Sequence, residues 1–157
     1  MNVDELPVTA RGEVADDWLD QMGHMNVMWY THMFSRGVWG FFQTFGFSQE
    51  YMERELAGSF ALEMHVRYLS ECRLGDKLTV RGRAVGRSAK RIHHVHFLVK
   101  DEGSVVAAIG EMVSAHVDLR VRRQSPFPPE LQANYDRMLA EHQALSWAAP
   151  VCGVMKP

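Results

Sequence analysis

The sequence predicts a single α+β domain: a five-stranded antiparallel sheet wrapped around one central helix, followed by a C-terminal helix. Its 157 residues suit one domain and leave little room for a second. A very apolar segment with helical spacing begins after Asn26, and four strand-like runs joined by short turns come after it. Because such a helix must be covered on most of its sides, a sheet wrapped around it fits this order of elements.

The first strand and the central helix follow from local patterns. Residues 12–18 predict a short strand, and residues 20–26 predict a loop that ends at Asn26, a good helix N-cap. Residues 27–45 predict a helix with only a thin polar stripe, so we expect it to be largely buried. Gly37 and Gly40 cost helix propensity, and we expect the close approach of another backbone to compensate for them.

Four further strands are predicted from alternating or β-branched runs at residues 60–69, 77–85, 92–99 and 105–117. The turns between them are Gly75-Asp76, Gly86-Arg87-Ser88 and Asp101-Glu102-Gly103, and such short turns imply antiparallel neighbours. Prolines at 126, 128 and 129 should end the sheet. Residues 129–145 predict a surface helix, and the tail over residues 148–157 is expected to be loosely held.

Composition excludes several classes of function. Hydrophobic residues make up 46% of the chain, charged residues 23%, and the net charge is −2, which argues against a general nucleic-acid binder. Cys72 and Cys152 are too few for a disulfide framework or a cysteine-based zinc site. The acidic N-terminus does not resemble a signal peptide, and polar residues interrupt the longest apolar stretch, so we expect a cytoplasmic protein with no membrane partner.

The loop before the helix carries the most specific motif. Asp20-Gln-Met-Gly-His-Met-Asn26, followed by Tyr30 and the apolar helix, resembles the Asp-x-x-Gly-His-x-Asn segment of hotdog-fold acyl-CoA thioesterases, the relatives of 4-hydroxybenzoyl-CoA thioesterase. The Arg67-Tyr68-Leu69 strand and the turns at 75–76 and 86–90 agree with that family. The resemblance covers a core of about residues 12–118 and leaves 119–157 as a C-terminal extension.

A narrower resemblance points to betainyl-CoA thioesterases of carnitine breakdown. It rests on Gly-His-Met-Asn at 23–26, His-Val-Asp at 116–118 and Arg122-Arg123. The wider family implies a hotdog fold, a short or polar acyl-CoA substrate and no cofactor. It also implies a homodimer or a dimer of dimers, with active sites at the dimer interface.

Asp20 is the natural candidate for a catalytic carboxylate. No Asp or Glu occurs between Asn26 and Ser48, so the central helix itself cannot supply the acid that some hotdog enzymes carry there. A substrate carbonyl beside Asp20 would also lie near the helix start, where unpaired amides such as that of Val27 form an oxyanion hole. The resemblance implies that Asp20 acts as nucleophile or general base, and the sequence leaves both roles open. The structural alternative is that Asp20 only orders the loop.

Three neighbours of Asp20 join the catalytic prediction. Gly23 would allow a sharp turn or a close approach of the substrate, although a plain turn glycine explains it equally well. His24 would orient Asp20 or hold a water, with a loop histidine bonded to the backbone as the alternative. Asn26 is most simply the helix cap, and a second role facing the thioester is the weaker interpretation.

Substrate binding is assigned to two groups of residues. Arg87, Ser88, Lys90 and Arg91 cluster around one hairpin and suit the phosphates of coenzyme A, the alternative being a solvated, charged turn. Trp29 and Tyr30 lie within one helical turn of the proposed oxyanion end. They would form an aromatic cage for a quaternary ammonium, although most aromatics of this helix belong to the core.

The sequence also offers a candidate metal site and two other functions. His94 and His96 share a sheet face, and His65 or His116 would be needed to complete a site, but a polar strand face is the simpler reading and no metal is expected. A hotdog enoyl-CoA hydratase or dehydratase remains open through the pair Asp20 and His24. A non-catalytic acyl-CoA binding module is the third class.

Overall fold

The structure, a computed structural model, describes residues 1–100 and 105–157. The predicted turn at Asp101-Glu102-Gly103 lies outside these residues. Within these residues, six strands and three α-helices follow in the order β1 Val8–Glu13, α1 Val27–Thr44, α2 Gln49–Glu55, β2 Ala57–Tyr68, β3 Lys77–Arg87, β4 Arg91–Lys100, β5 Val105–Asp118, β6 Arg123–Gln124 and α3 Pro129–Gln143. None of the helices in these residues has the length and apolar character of a membrane span.

The sheet contains the five predicted strands and one additional short strand. Its order is β1-β3-β4-β5-β2, so β2 lies at one edge, and β6 pairs with β5. The first strand was placed too late in the sequence: it covers Val8–Glu13, and residues 16–18 form a short 3-10 turn. Its antiparallel register with β3 runs from Val8 opposite Arg81 to Glu13 opposite Lys77, a pairing between distant segments of the chain.

Helix α1 confirms the predicted bounds and corrects the predicted burial. Nine of its eighteen residues are not exposed, but one face is open and includes Val27 and Met28, which are 61% and 60% exposed. The solvent-exposed face of α1 is therefore wider than the polar stripe in its sequence predicted. The compensation expected for Gly40 is confirmed, because a Cβ atom there would lie 1.9 Å from the carbonyl oxygen of Thr9 on β1.

The described residues form two compact units. One comprises residues 1–41, 66–82 and the described part of 96–110. Its core gathers the inner face of α1, including Met33, Phe34 and Phe41, together with Leu78 and Val80 of β3.

The second unit comprises residues 42–65, 83–95 and 111–157, and its core is rich in aromatic rings. Phe45 meets the ring of Tyr135 of α3 at 5.3 Å, and the Tyr135 hydroxyl donates to the carbonyl of His93 at 2.9 Å. The expectation of a loosely held tail needs correction. Met155 is buried, and the amide of Cys152 donates to the Glu111 carboxylate at 2.6 Å.

Candidate active site

The loop before α1 is closed at its base by backbone pairing. Leu19 and Met25 form an antiparallel bridge, and the Asn26 amide donates to the carbonyl of Trp18 at 2.9 Å. Just inside the bridge, the Asp20 amide donates to the carbonyl of His24 at 3.0 Å. The two arms of the loop are thus held side by side, with Asp20 opposite His24 and Trp18 opposite Asn26, the residue just before the helix.

The Asp20 carboxylate is partly buried and oriented by this loop. Its Oδ1 accepts from the Met22 amide at 2.9 Å, and its Oδ2 lies 3.5 Å from Nδ1 of His24. The side chain of Asp20 is 18% exposed and that of His24 is 30% exposed, so both remain accessible to a small molecule. Gly23 has a φ of +79°, a conformation that favours glycine, which explains this residue by the turn alone.

The start of α1 presents one backbone donor. The Asn26 side chain accepts from the Met28 amide at 2.9 Å, which confirms the predicted N-cap, and the Trp29 amide donates to the Asn26 carbonyl. The Val27 amide has no acceptor among residues 1–100 and 105–157. It lies at the positive end of the helix dipole, where an anionic oxygen is stabilised.

The two predicted cage residues have different surroundings. Tyr30 is 4% exposed, and its hydroxyl donates to the carbonyl of Ser70 at 3.2 Å and accepts from the Cys72 amide at 3.1 Å. Burial, with the contact to Cys72, raises the pKa of Tyr30, so the hydroxyl stays protonated. Tyr30 therefore fastens the segment after β2 to the helix.

Trp29 belongs to an aromatic cluster that the sequence analysis missed. Its ring stacks on Trp18 with centroids 4.4 Å apart and an interplanar angle of 7°, and the edge of His32 approaches both rings. Trp18 is eleven residues away along the chain, and only the closing of the loop brings it to Trp29. Both indoles are half-buried, so the stack keeps an accessible surface.

The basic hairpin at residues 87–91 lies in the second compact unit, and its side chains differ in how far other residues already bind them. Arg87 forms a bidentate ion pair with Asp136 of α3 at 2.5 and 2.6 Å, and this pairing raises the pKa of Arg87 and lowers that of Asp136. Arg91 donates to Gln124 at 3.0 Å, and Ser88 accepts the Arg91 amide within the turn. Lys90 is exposed and has no ion pair among the described residues.

The histidines suggested as metal ligands do not come together as the sequence had grouped them. His94 contacts Ser114 at 3.0 Å, and Nε2 of His116 lies 2.8 Å from the Tyr51 hydroxyl. The ring of His96 packs edge-on against Phe41, and burial lowers the pKa of His96 to about 3. Each of these three rings thus makes these contacts within one compact unit, His94 and His116 in one and His96 in the other.

Comparisons with known proteins identify the family. The family model described as the thioesterase-like superfamily matches residues 14–135, most of the chain and the whole candidate loop. The chain belongs to the thioesterase-like superfamily. This confirms the predicted hotdog fold and the predicted enzyme class, a thioester hydrolase.

Individual relatives agree with this assignment. A betainyl-CoA thioesterase from Pseudomonas aeruginosa is 27% identical over 90% of this chain and 89% of its own length. An L-carnitine dehydrogenase/betainyl-CoA thioesterase from Agrobacterium fabrum is 30% identical over 80% of this chain, which covers 26% of that longer protein. A Staphylococcus aureus protein solved in complex with CoA superposes with a TM-score of 0.81 at 26% identity, covering 91% of this chain and 90% of its own.

Proposed function

We propose that this chain hydrolyses acyl-CoA thioesters, with Asp20 as the catalytic carboxylate and the Val27 amide as the oxyanion donor. The observation that supports the proposal is the closed loop before α1, which holds the partly buried Asp20 carboxylate on one arm while the other arm leads into the helix start and its unpaired Val27 amide. A thioester carbonyl between them would meet a base or nucleophile on one side and a fixed donor on the other.

Two balanced routes lead from this arrangement to the products. In one, Asp20 removes a proton from a water molecule, the hydroxide adds to the carbonyl, and the Asp20 proton passes to the departing CoA thiolate. In the other, the carboxylate itself attacks and CoA leaves, and water then cleaves the resulting anhydride to free acid. In both routes the Val27 amide is the donor to the negative oxygen that forms on the carbonyl carbon. Nδ1 of His24 lies 3.5 Å from Oδ2 of Asp20, and His24 is proposed to orient this carboxylate.

Betainyl-CoA is the proposed substrate. Two of the relatives bear this activity in their names, and the stacked indoles of Trp18 and Trp29 lie at the end of α1 that holds the proposed oxyanion donor. A trimethylammonium group is attracted to the face of an indole, an interaction worth about 0.5–2 kcal/mol. Trp29 and Trp18 together are proposed to contact the trimethylammonium group, while Tyr30 supports the helix from its buried side.

The phosphates of coenzyme A are proposed to lie at the 87–91 hairpin. Lys90 and the Ser88 turn offer the more accessible groups, and Arg91 contributes beside them. Because Arg87 is already paired with Asp136, its contribution to phosphate binding should be the smallest of the four.

A homodimer, or a dimer of dimers, in the cytoplasm is proposed as the working form. Strand β2 is a twelve-residue edge strand, and its apolar residues Phe60, Leu62 and Met64 are each 38–39% exposed. A long apolar edge of this kind is avoided in monomers because it templates pairing with another chain. The same edge on a second copy would cover it.

The test is a thiol-release assay with a panel of acyl-CoA substrates that includes betainyl-CoA and tert-butylacetyl-CoA, its uncharged isostere. The proposal expects release of CoA, with betainyl-CoA the better of this pair. The Trp29→Leu variant should reduce that preference, and Val38→Leu on the same helix serves as the control. Absence of cleavage across the panel, or conversion of an enoyl-CoA instead, would reject the thioesterase assignment.

A further inference from the structure

The second compact unit holds a cluster of three metal-binding side chains. His65 of β2, Glu111 of β5 and Cys152 of the tail each present one ligand atom, and these atoms all lie within 4.8 Å of one another. His93 on β4 adjoins the cluster, with Nε2 at 2.8 Å from Oε1 of Glu111. The strands β4, β5 and β2 are neighbours in the sheet, so the cluster lies across three adjacent strands.

The cluster uses the sheet face opposite to the one that packs on the aromatic core. His94 contacts Ser114, and its ring meets Phe42 of α1 at 5.9 Å. Because neighbouring residues in a strand point to opposite faces, His93 points away from that helix, and Glu111 shares its face through their contact. The tail residue Cys152 lies over this second face, which explains why Glu111 is 1% exposed.

Glu111 is held as a preorganised anion. Its Oε1 contacts His93, and its Oε2 accepts the Cys152 amide at 2.6 Å. Burial alone would raise the pKa of Glu111, but the hydrogen bonds from Cys152 and His93 more than offset this and lower it. A carboxylate has about four acceptor positions, so both oxygens keep a lone pair for a cation.

The other two side chains can complete a site by small movements. Cys152 and His65 are exposed, and their side chains have no partner among the described residues outside this cluster. Bond lengths of about 2.0 Å to nitrogen or oxygen and 2.3 Å to sulfur in a tetrahedral zinc site place the ligand atoms roughly 3.3–3.5 Å apart. The observed spread is therefore about 1 Å too wide, which rotation of two exposed side chains can close.

We propose that His65, Glu111 and Cys152 bind one divalent cation of the Zn²⁺ class and so fasten the C-terminal tail to the sheet. A thiolate, an imidazole and a carboxylate together favour zinc over calcium or magnesium. Binding releases the Cys152 thiol proton to solvent, and the two anionic ligands neutralise the cation. A water occupies the fourth position, and His93 orients Glu111 as an outer partner.

Cobalt is the probe because a thiolate–Co²⁺ bond gives a near-ultraviolet charge-transfer band. Chelator-treated full-length protein is titrated with Co²⁺ and then with Zn²⁺ in competition. We expect a single equivalent, loss of the band in Cys152→Ser, and at least about tenfold weaker binding in His65→Gln. Cys72→Ala, which removes the buried thiol of the other unit, and His32→Gln are the matched controls and should leave the titration unchanged.

Thermal unfolding supplies a second readout. Zn²⁺ should raise the Tm of the wild-type protein and not that of Cys152→Ser or His65→Gln, two exposed positions where the fold should be retained. A missing band, or a band and affinity that survive in both variants, would overturn the proposal. No substrate enters these measurements, so their result is independent of whether the chain cleaves acyl-CoA.

Discussion

Replacing Asp20 by Asn separates catalysis from loop structure. Asn keeps the Oδ1 acceptor, so the bond from the Met22 amide at 2.9 Å can persist. What disappears is the negative charge that, in the proposed function, attacks the carbonyl or removes a proton from water. We expect kcat to fall by about 10²- to 10⁴-fold, which corresponds to roughly 3–5 kcal/mol in the activation barrier.

The structure also predicts that stability changes little. The only other contact of this carboxylate in the loop is the 3.5 Å approach to His24, between two partly exposed side chains. Such a pair contributes at most about 1 kcal/mol. The free energy of unfolding should therefore change by no more than about 1 kcal/mol, and KM should stay close to that of the wild type because ground-state binding is unaffected.

The assay is steady-state thiol release with the best acyl-CoA of the panel, accompanied by urea unfolding of the same samples. Asp17→Asn is the matched control, because it removes an exposed carboxylate from the turn just before the loop. If Asp20→Asn keeps turnover within about tenfold of wild type, Asp20 only orders the loop. If it unfolds instead, the structural estimate above is wrong.

Three further changes test the fold. Gly40→Ala places a Cβ 1.9 Å from the Thr9 carbonyl oxygen and should cost about 1–3 kcal/mol of unfolding free energy in urea, despite the gain in helix propensity; unchanged stability would refute the close approach. Tyr30→Phe strands two backbone groups and should cost about 1–3 kcal/mol, measured in the same way. The pKa of His96 is about 3 in the folded protein and near its ordinary value of 6.5 in the unfolded chain. As the pH falls, the unfolded state therefore binds this proton before the folded state does. Stability should therefore fall as pH drops below 6.5, and His96→Leu should remove about 2 kcal/mol of the loss between pH 7 and 5; an equal loss in both proteins would contradict this.

The order of elements was predictable because each depends on neighbours in sequence. Helix α1 was placed within one residue at its end, since its apolar run starts at an N-cap and stops before Gly46. The first strand was misplaced even though Val8, Ala10 and Gly12 alternate with polar residues, because its bounds are set by pairing with β3, a distant segment of the chain. Helix α2 was missed because Gln49–Glu55 is short and highly polar, although Ser48 caps it.

The loop before α1 could be predicted as a candidate site, whereas the contacts around it could not. The motif at 20–26 is contiguous, so its chemistry is visible in the sequence. The Trp18–Trp29 stack and the Tyr30 hydroxyl bonds join residues that are 11 to 42 positions apart. Spacing along the chain contains no information on such contacts.

The amino-acid sequence by itself determined the α+β class, the central helix with its N-cap, and the acidic loop with the family to which it belongs. These features depend on periodicity, capping and a contiguous motif, all of which act over a few residues. The tertiary structure decided which side chains remain available: it tied Arg87 to Asp136, buried Tyr30, and brought His65, Glu111 and Cys152 together. Those outcomes depend on strand order and on the path of the tail, which form only when distant segments pack.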